Sequence, residues 1–302
     1  MRVTKGILAA KCLAGAVSVL ITAGCSSLAG SAARPHEVAA RDMALSIADP
    51  VSGTTQELTD LGAFLYGSDI AKRLDGAPWS LFHAGDFALY FVEGIESGKF
   101  VWRSTTNDYE LTETRSVAAG LISGSANISI DVAFFTSNNS NGPGISISDP
   151  SAGFPSTVRS LSYQRQMSGT FANAHIDVQR RLTSNSSFTV TGLNSGTRGF
   201  TVSGIKLATF TNTYADGSVI NGTLSETVNQ LVVSAVPQSD RSDLVTAAGT
   251  VMMRYAAMVT RVDGTTDQVQ KTATCTFDGQ QTAHVDMDGT DVDVDITTGA
   301  TE

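Results

Sequence analysis

The chain is 302 residues long, with 41% apolar residues, 16% charged residues and a formal net charge of −9. A mean hydropathy near zero excludes both a disordered polymer and a chain made mostly of membrane-spanning helices. The acidic balance lacks the basic footprint of nucleic-acid binding, so no nucleic-acid partner is expected.

Residues 1–24 open with Met-Arg-Val-Thr-Lys and run apolar from Gly6 to Ala23. A basic start, a short apolar middle and a small-residue end are the pattern of a secretory signal. The middle is rich in Ala and Gly and falls short of the about 20 strongly apolar residues that a permanent span needs. The ending Leu20-Ile21-Thr22-Ala23-Gly24-Cys25 resembles the lipobox of bacterial lipoproteins. It matches at Ala23, Gly24 and Cys25 and departs at Thr22, where that family usually has Leu. The resemblance implies that residues 1–24 are a cleaved lipoprotein signal peptide and that Cys25 is the lipidation site. The mature protein is then anchored in a bacterial cell envelope through its N-terminal lipid. Ser26 and Ser27 stand where an Asp would retain such a protein at the inner membrane of a Gram-negative cell, so the resemblance implies the outer membrane. Losing the signal leaves 17 basic against 29 acidic residues, a balance of −12. Anionic headgroups repel that charge, so attachment rests on the acyl chains.

Residues 25–35 are small and polar and form a tether. Residues 36–302 read as one β-rich domain with an N-terminal helical segment, 36–74. Val38, Met43, Leu45 and Ile47 suit a first helix that Asp49-Pro50 ends. Thr54-Thr55-Gln56-Glu57 opens a second, carried by Leu58, Leu61, Leu65 and Ile70. Nine of the 21 aromatics then fall between Phe64 and Trp102, a concentration that suits the packing of helix on sheet or an aromatic-lined pocket.

From Phe87 onward the chain reads as β. Twelve segments rich in Val, Ile, Thr and Phe are expected as strands, at 99–105, 109–122, 126–136, 158–171, 175–182, 187–191, 199–214, 218–235, 245–262, 267–277, 282–287 and 290–297. Asp-Gly recurs at Asp216-Gly217, Asp263-Gly264, Asp278-Gly279 and Asp288-Gly289, each between strand-like runs. Asp-Gly suits a tight type I′ turn with positive φ at both central residues, and four in succession describe an antiparallel meander. The stretch between Thr136 and Thr157 is long enough for a flap or an edge cover. No strand–helix alternation calls for a parallel sheet. The expected fold is therefore mainly β, a large twisted antiparallel meander sheet, open or an incomplete barrel, with two short N-terminal helices. In architecture it resembles the incomplete barrels with a helical lid of periplasmic lipoprotein carriers and their outer-membrane receptors.

Two strands are apolar on both faces. In 251–259, Val251, Met253, Tyr255, Ala257 and Val259 share one face, and Met252, Ala256 and Met258 share the other with Arg254. In 199–210, Phe200, Val202 and Phe210 oppose Ile205 and Leu207. Such a strand needs cover on both sides, from the helices, a second layer, a partner protein or a bound lipid. Met252, Met253, Tyr255 and Met258 are accordingly the candidate binding residues for an apolar small molecule or an envelope protein, methionine being adaptable to irregular ligands. The alternative is a structural or adhesive envelope component without a ligand pocket.

No catalytic residue, metal ligand or cofactor is assigned. His36, His83, His175 and His284 have no metal-ligand spacing. Ser203-Gly204-Ile205-Lys206 fits the S-x-x-K spacing of penicillin-binding enzymes but lies within a strand and lacks the companion motifs. Asp286–Asp295 is acid-rich without the spacing of a calcium loop, and alternates as a terminal hairpin with Val285, Met287, Val292, Val294 and Ile296 on its dry side. Cys12 leaves with the signal and Cys25 is acylated, so Cys275 has no partner and is expected as a small core residue.

Overall fold

A computed structural model describes residues 35–48, 53–55, 57–58, 61, 100–119, 122–139, 142–147, 157–173, 177–193, 199–234, 246–279 and 282–295. The signal, Cys25, nearly all of the tether and most of the aromatic concentration lie outside them.

The described chain is one helix and one sheet. Helix α1 (Pro35–Ala48) is followed by β1 (Val101–Arg103), β2 (Asp108–Ala119), β3 (Ile122–Phe135) and β4 (Ser160–Asn173). Then come β5 (Val178–Thr191), β6 (Gly199–Tyr214), β7 (Val219–Ser234), β8 (Thr246–Thr260), β9 (Thr266–Asp278), β10 (Thr282–Met287) and β11 (Thr290–Asp295). The eleven strands lie in chain order in a single sheet, every neighbouring pair antiparallel, with β1 and β11 as its two edges. The expected meander is present and it is open.

Two expectations are corrected. One helix is described, not two; among the described residues beyond α1, helical backbone occurs at Thr54, Thr55, Glu57, Leu58 and Leu61, and Leu65 and Ile70 lie outside them. The separate strands expected at 175–182 and 187–191 are one strand, β5. The polar run Thr183-Ser184-Asn185-Ser186 looks like a turn, yet Ser184 and Ser186 face inward and are buried.

All four Asp-Gly pairs sit at hairpins, but only Asp288-Gly289 has positive φ at both residues, 54° and 79°. At Asp216-Gly217 and Asp263-Gly264 only Gly is left-handed. Gly217 N–H bonds to Tyr214 C=O and Gly264 N–H to Arg261 C=O, which is a type I turn closed by a glycine bulge. Asp263 then accepts from the N–H and hydroxyl of Thr265, which holds its carboxyl below the usual range.

The sheet coils. Helix α1 is about 21 Å long, while eight flat strands would span about 34 Å. Yet α1 packs on β8, β9 and β11, and Glu57 reaches β4. Strand twist lets one face curl round the N-terminal segment. Inside lie Val38, Met43 and Ile47 of α1 against Tyr163, Phe188, Val202, Leu231, Val251 and Cys275. Tyr163 stacks on Phe188 with ring centres 6.3 Å apart. The chain after β3 folds back on the sheet, with Ile145 bridging Phe134 and Ile147 N–H bonding to the Tyr109 hydroxyl at 2.7 Å. That makes the described part of the long connection a cover.

Candidate functional site

The two faces of the sheet have opposite chemistry. The inner face is sealed by the N-terminal segment through a buried polar network. Glu57 accepts from Arg165 at 2.9 Å and from Ser186 at 2.8 Å, with Lys206 Nζ 3.7 Å from its second oxygen. Lys206 also donates to the Thr54 hydroxyl at 3.3 Å, and the hydroxyls of Thr54 and Ser46 donate to Glu226. Burial pushes the Glu226 carboxyl up, against the opposing pull of Lys206 and the two hydroxyls. One turn of α1 away from Ser46, Asp42 accepts from the Tyr255 hydroxyl at 2.8 Å and from Asn212 at 3.3 Å. Burial and then Asp42 keep the Tyr255 phenol protonated.

Sequence reading missed this network, although its signal is there. Arg165 sits in phase with Tyr163 and Met167, Arg180 with Val178 and Leu182, and Glu226 with Leu224 and Val228. A charged residue at a dry position of an alternating strand announces a buried partner. Lys206 follows the same rule, in phase with Val202, Ala208 and Phe210. The register shift belongs to β7, where Gln230 has φ 51° and the inward set passes from Glu226 and Val228 to Leu231 and Val233.

Chemically the network fastens helix to sheet. Ser203 accepts a hydrogen bond from Gln230 N–H at 3.0 Å, while Lys206 is engaged with Glu57 and Thr54. The S-x-x-K spacing therefore does not assemble a nucleophile with its base. Cys275 is fully buried, and its thiol is pushed up by burial first and by Glu226 second. It lies in the core as expected.

The outer face is wet and rich in Ser, Thr, Asn and Gln. Across it run exposed apolar side chains, Ile205 (48%), Leu207 (48%), Met252 (54%) and Met258 (44%). The four candidate binding residues thus do not share a groove. Met252 and Met258 are on this outer face, whereas Met253 and Tyr255 are buried inside, at 1% and 2% exposure. Strand alternation makes that division unavoidable. An open depression of about 670 Å³ lies over β6 to β9; its lining combines Leu207, Ser225 and Arg254 of the outward phase with Leu224, Tyr255 and Lys271 of the inward phase, and includes Asp288.

The acid-rich hairpin is β10–β11, with Val285, Met287 and Val294 buried and Asp286 and Asp288 exposed. His284 Nδ1 lies 2.5 Å from Asp293, and Lys271 Nζ 2.5 Å from Asp288. Among the described residues no three His, Cys, Asp or Glu side chains converge as metal ligands would. Near the other edge, Arg103 holds Asp108 at 2.7 Å, Asp131 at 2.8 Å and Glu110 at 3.2 Å, a surface clasp that fixes β1 to β3. Comparison of the chain with protein-family models, curated proteins and solved structures finds no match.

Proposed function

We propose that this protein is a non-catalytic lipoprotein of a bacterial cell envelope, probing its surroundings with the outer face of β6 to β8. In this reading Cys25 carries the lipid and the outer membrane is the site of attachment. The observation that carries the binding role is the set of large apolar side chains Ile205, Leu207, Met252 and Met258, each about half exposed on a face made mainly of hydroxyls and amides. Exposed apolar groups gathered on one part of a surface mark contact sites. Binding by surface contact is favoured over an enclosed ligand cavity, because the inner face is already occupied by α1 and its polar network. Its non-catalytic character draws support from Ser186, Lys206 and Cys275, all buried.

The tether of about ten residues reaches at most about 35 Å, so the domain works close to the bilayer. The test is a photoreactive residue at position 207 in living cells. A discrete adduct, absent when the same residue is placed at Thr183 on β5, supports contact through this face. Labelling of equal yield at both positions counts against it.

A further inference from the structure

The outer face is not only apolar in places; across β4 to β8 it is cleared of acid. Among the described outward-facing residues of β4 to β9 two arginines occur, Arg181 and Arg254, and one acid, Asp278 at the far end of β9 beside His284. A chain with net charge −9 has put its acids elsewhere, in hairpin turns such as Asp216 and Asp263, on β10–β11, and in the inner network. A face kept free of negative charge within an acidic protein admits an anion that the rest of the surface repels.

The register fixes what surrounds Arg254. Arg254 pairs across Ser225 with Leu207 in one row, and Met252 pairs across Thr227 with Ile205 in the next. Strand spacing makes this a patch about 10 Å by 7 Å, with Leu207, Ile205 and Met252 at three corners and a guanidinium at the fourth. Ser225 and Thr227 lie between them, Ser225 in the row of Arg254 and Leu207 and Thr227 in the row of Met252 and Ile205. The neighbouring ammonium of Lys271 is taken up by Asp288 at 2.5 Å, which leaves one cation for the patch.

The geometry points to a site for a single-chain fatty carboxylate, with its head on Arg254 and the hydroxyls beside it and its chain across Leu207, Ile205 and Met252. This rests on the reading of the outer face as the binding face and adds the ligand's class. A planar guanidinium takes a carboxylate through two parallel hydrogen bonds. A lone cation matches a head of charge −1 better than the doubly charged head of an alkyl phosphate. Three side chains of Leu, Ile and Met size offer one chain's width of apolar contact, and methionine adapts to a flexible chain.

The test uses the full lipid-anchored chain in its own membranes. A dodecanoic acid carrying a diazirine on its chain is added, irradiated, and the labelled peptides are mapped by mass spectrometry. The expected result is label on β6 and β8, competed by dodecanoate but not by dodecanol or dodecyltrimethylammonium. Arg254→Gln should reduce that label at least fivefold, and Arg254→Lys should reduce it less. Unchanged labelling in Arg254→Gln, or competition by dodecanol equal to that by dodecanoate, overturns the proposal. Dodecyl phosphate competing at tenfold lower concentration overturns the carboxylate assignment. The photoreactive residue at 207 separates the two levels. An adduct there with no fatty-acid label sinks the ligand and leaves the binding face standing, whereas neither signal removes both.

Discussion

Glu57 and Arg165 are 108 residues apart in the chain and meet at 2.9 Å with both side chains sealed from water. Through that contact a segment near the N-terminus closes the inner face of a sheet whose strands are otherwise joined only to their neighbours. A buried ion pair is weak evidence for stability, because desolvation offsets much of the attraction, but removing one partner alone is costly.

Glu57→Ala leaves Arg165 and Lys206 without their shared carboxylate. The expected cost is about 3–5 kcal/mol, a fall of roughly 10 °C in Tm for a domain of this size. Replacing Glu57 by Leu together with Arg165 and Lys206 by Met should recover most of the loss. Calorimetry on both variants checks this, and a single variant that melts with the wild type contradicts the role given to Glu57.

Glu226 gives the protein a pH signature. Burial raises its carboxyl above the ordinary 4.5, so the folded chain holds a proton that the unfolded chain releases. The groups that face it are Lys206, Glu57 and Cys275. Stability from this group is fully present below the unfolded value and is lost as pH rises through the raised one. Glu226→Gln, uncharged throughout, should therefore gain on the wild type as pH increases above about 4.5. A Tm difference between the two that stays constant from pH 4 to 8 would count against the assignment.

Two glycines separate backbone strain from crowding. Gly264 has φ +82° with open space where a Cβ would stand, and Gly264→Val should cost about 1 kcal/mol or more through backbone strain. Gly204 has φ +154°, and a Cβ there would lie 2.1 Å from the Ser187 carbonyl oxygen. Gly204→Ala should cost more than Gly264→Val, which denaturant midpoints will show.

The meander was legible because Asp-Gly turns and β-branched runs act locally, and both survive in the structure from β6 to β11. Helix α1 was legible from Val38, Met43 and Ile47. What escaped was long-range. Ser184 and Ser186 look like turn residues until Glu57, 129 residues before Ser186, gives the latter a partner. The bulge at Gln230 inverts the facing of β7, so that Leu231 and Val233 point inward out of phase with Glu226 and Val228, which no local pattern announces. The candidate binding residues were chosen from one strand, and alternation sends Met252 and Met258 to water and Met253 and Tyr255 to the core. Arg254 stood among them as the exception to an apolar face; its significance depends on Leu207 and Ile205, which only the register brings alongside.

Cys25 is expected to be the mature N-terminus with lipid attached. Cys25→Ser should release the protein from membranes, since one signal less leaves no acyl anchor. Intact-mass analysis that finds an unlipidated mature form in wild-type cells contradicts the anchor.

Two adjacent residues divide the outer face from the core. Met252 is 54% exposed and Met253 is 1% exposed. Met253→Glu should collapse the fold, because an unpaired charge enters the core, whereas Met252→Glu should melt as the wild type does. The decisive measurement is the yield of photoadduct at position 207 in cells carrying Met252→Glu against cells carrying Met252. An adduct present with Met252 and lost with Glu, at unchanged Tm, is the predicted result. An adduct of equal yield in both would contradict the outer-face account.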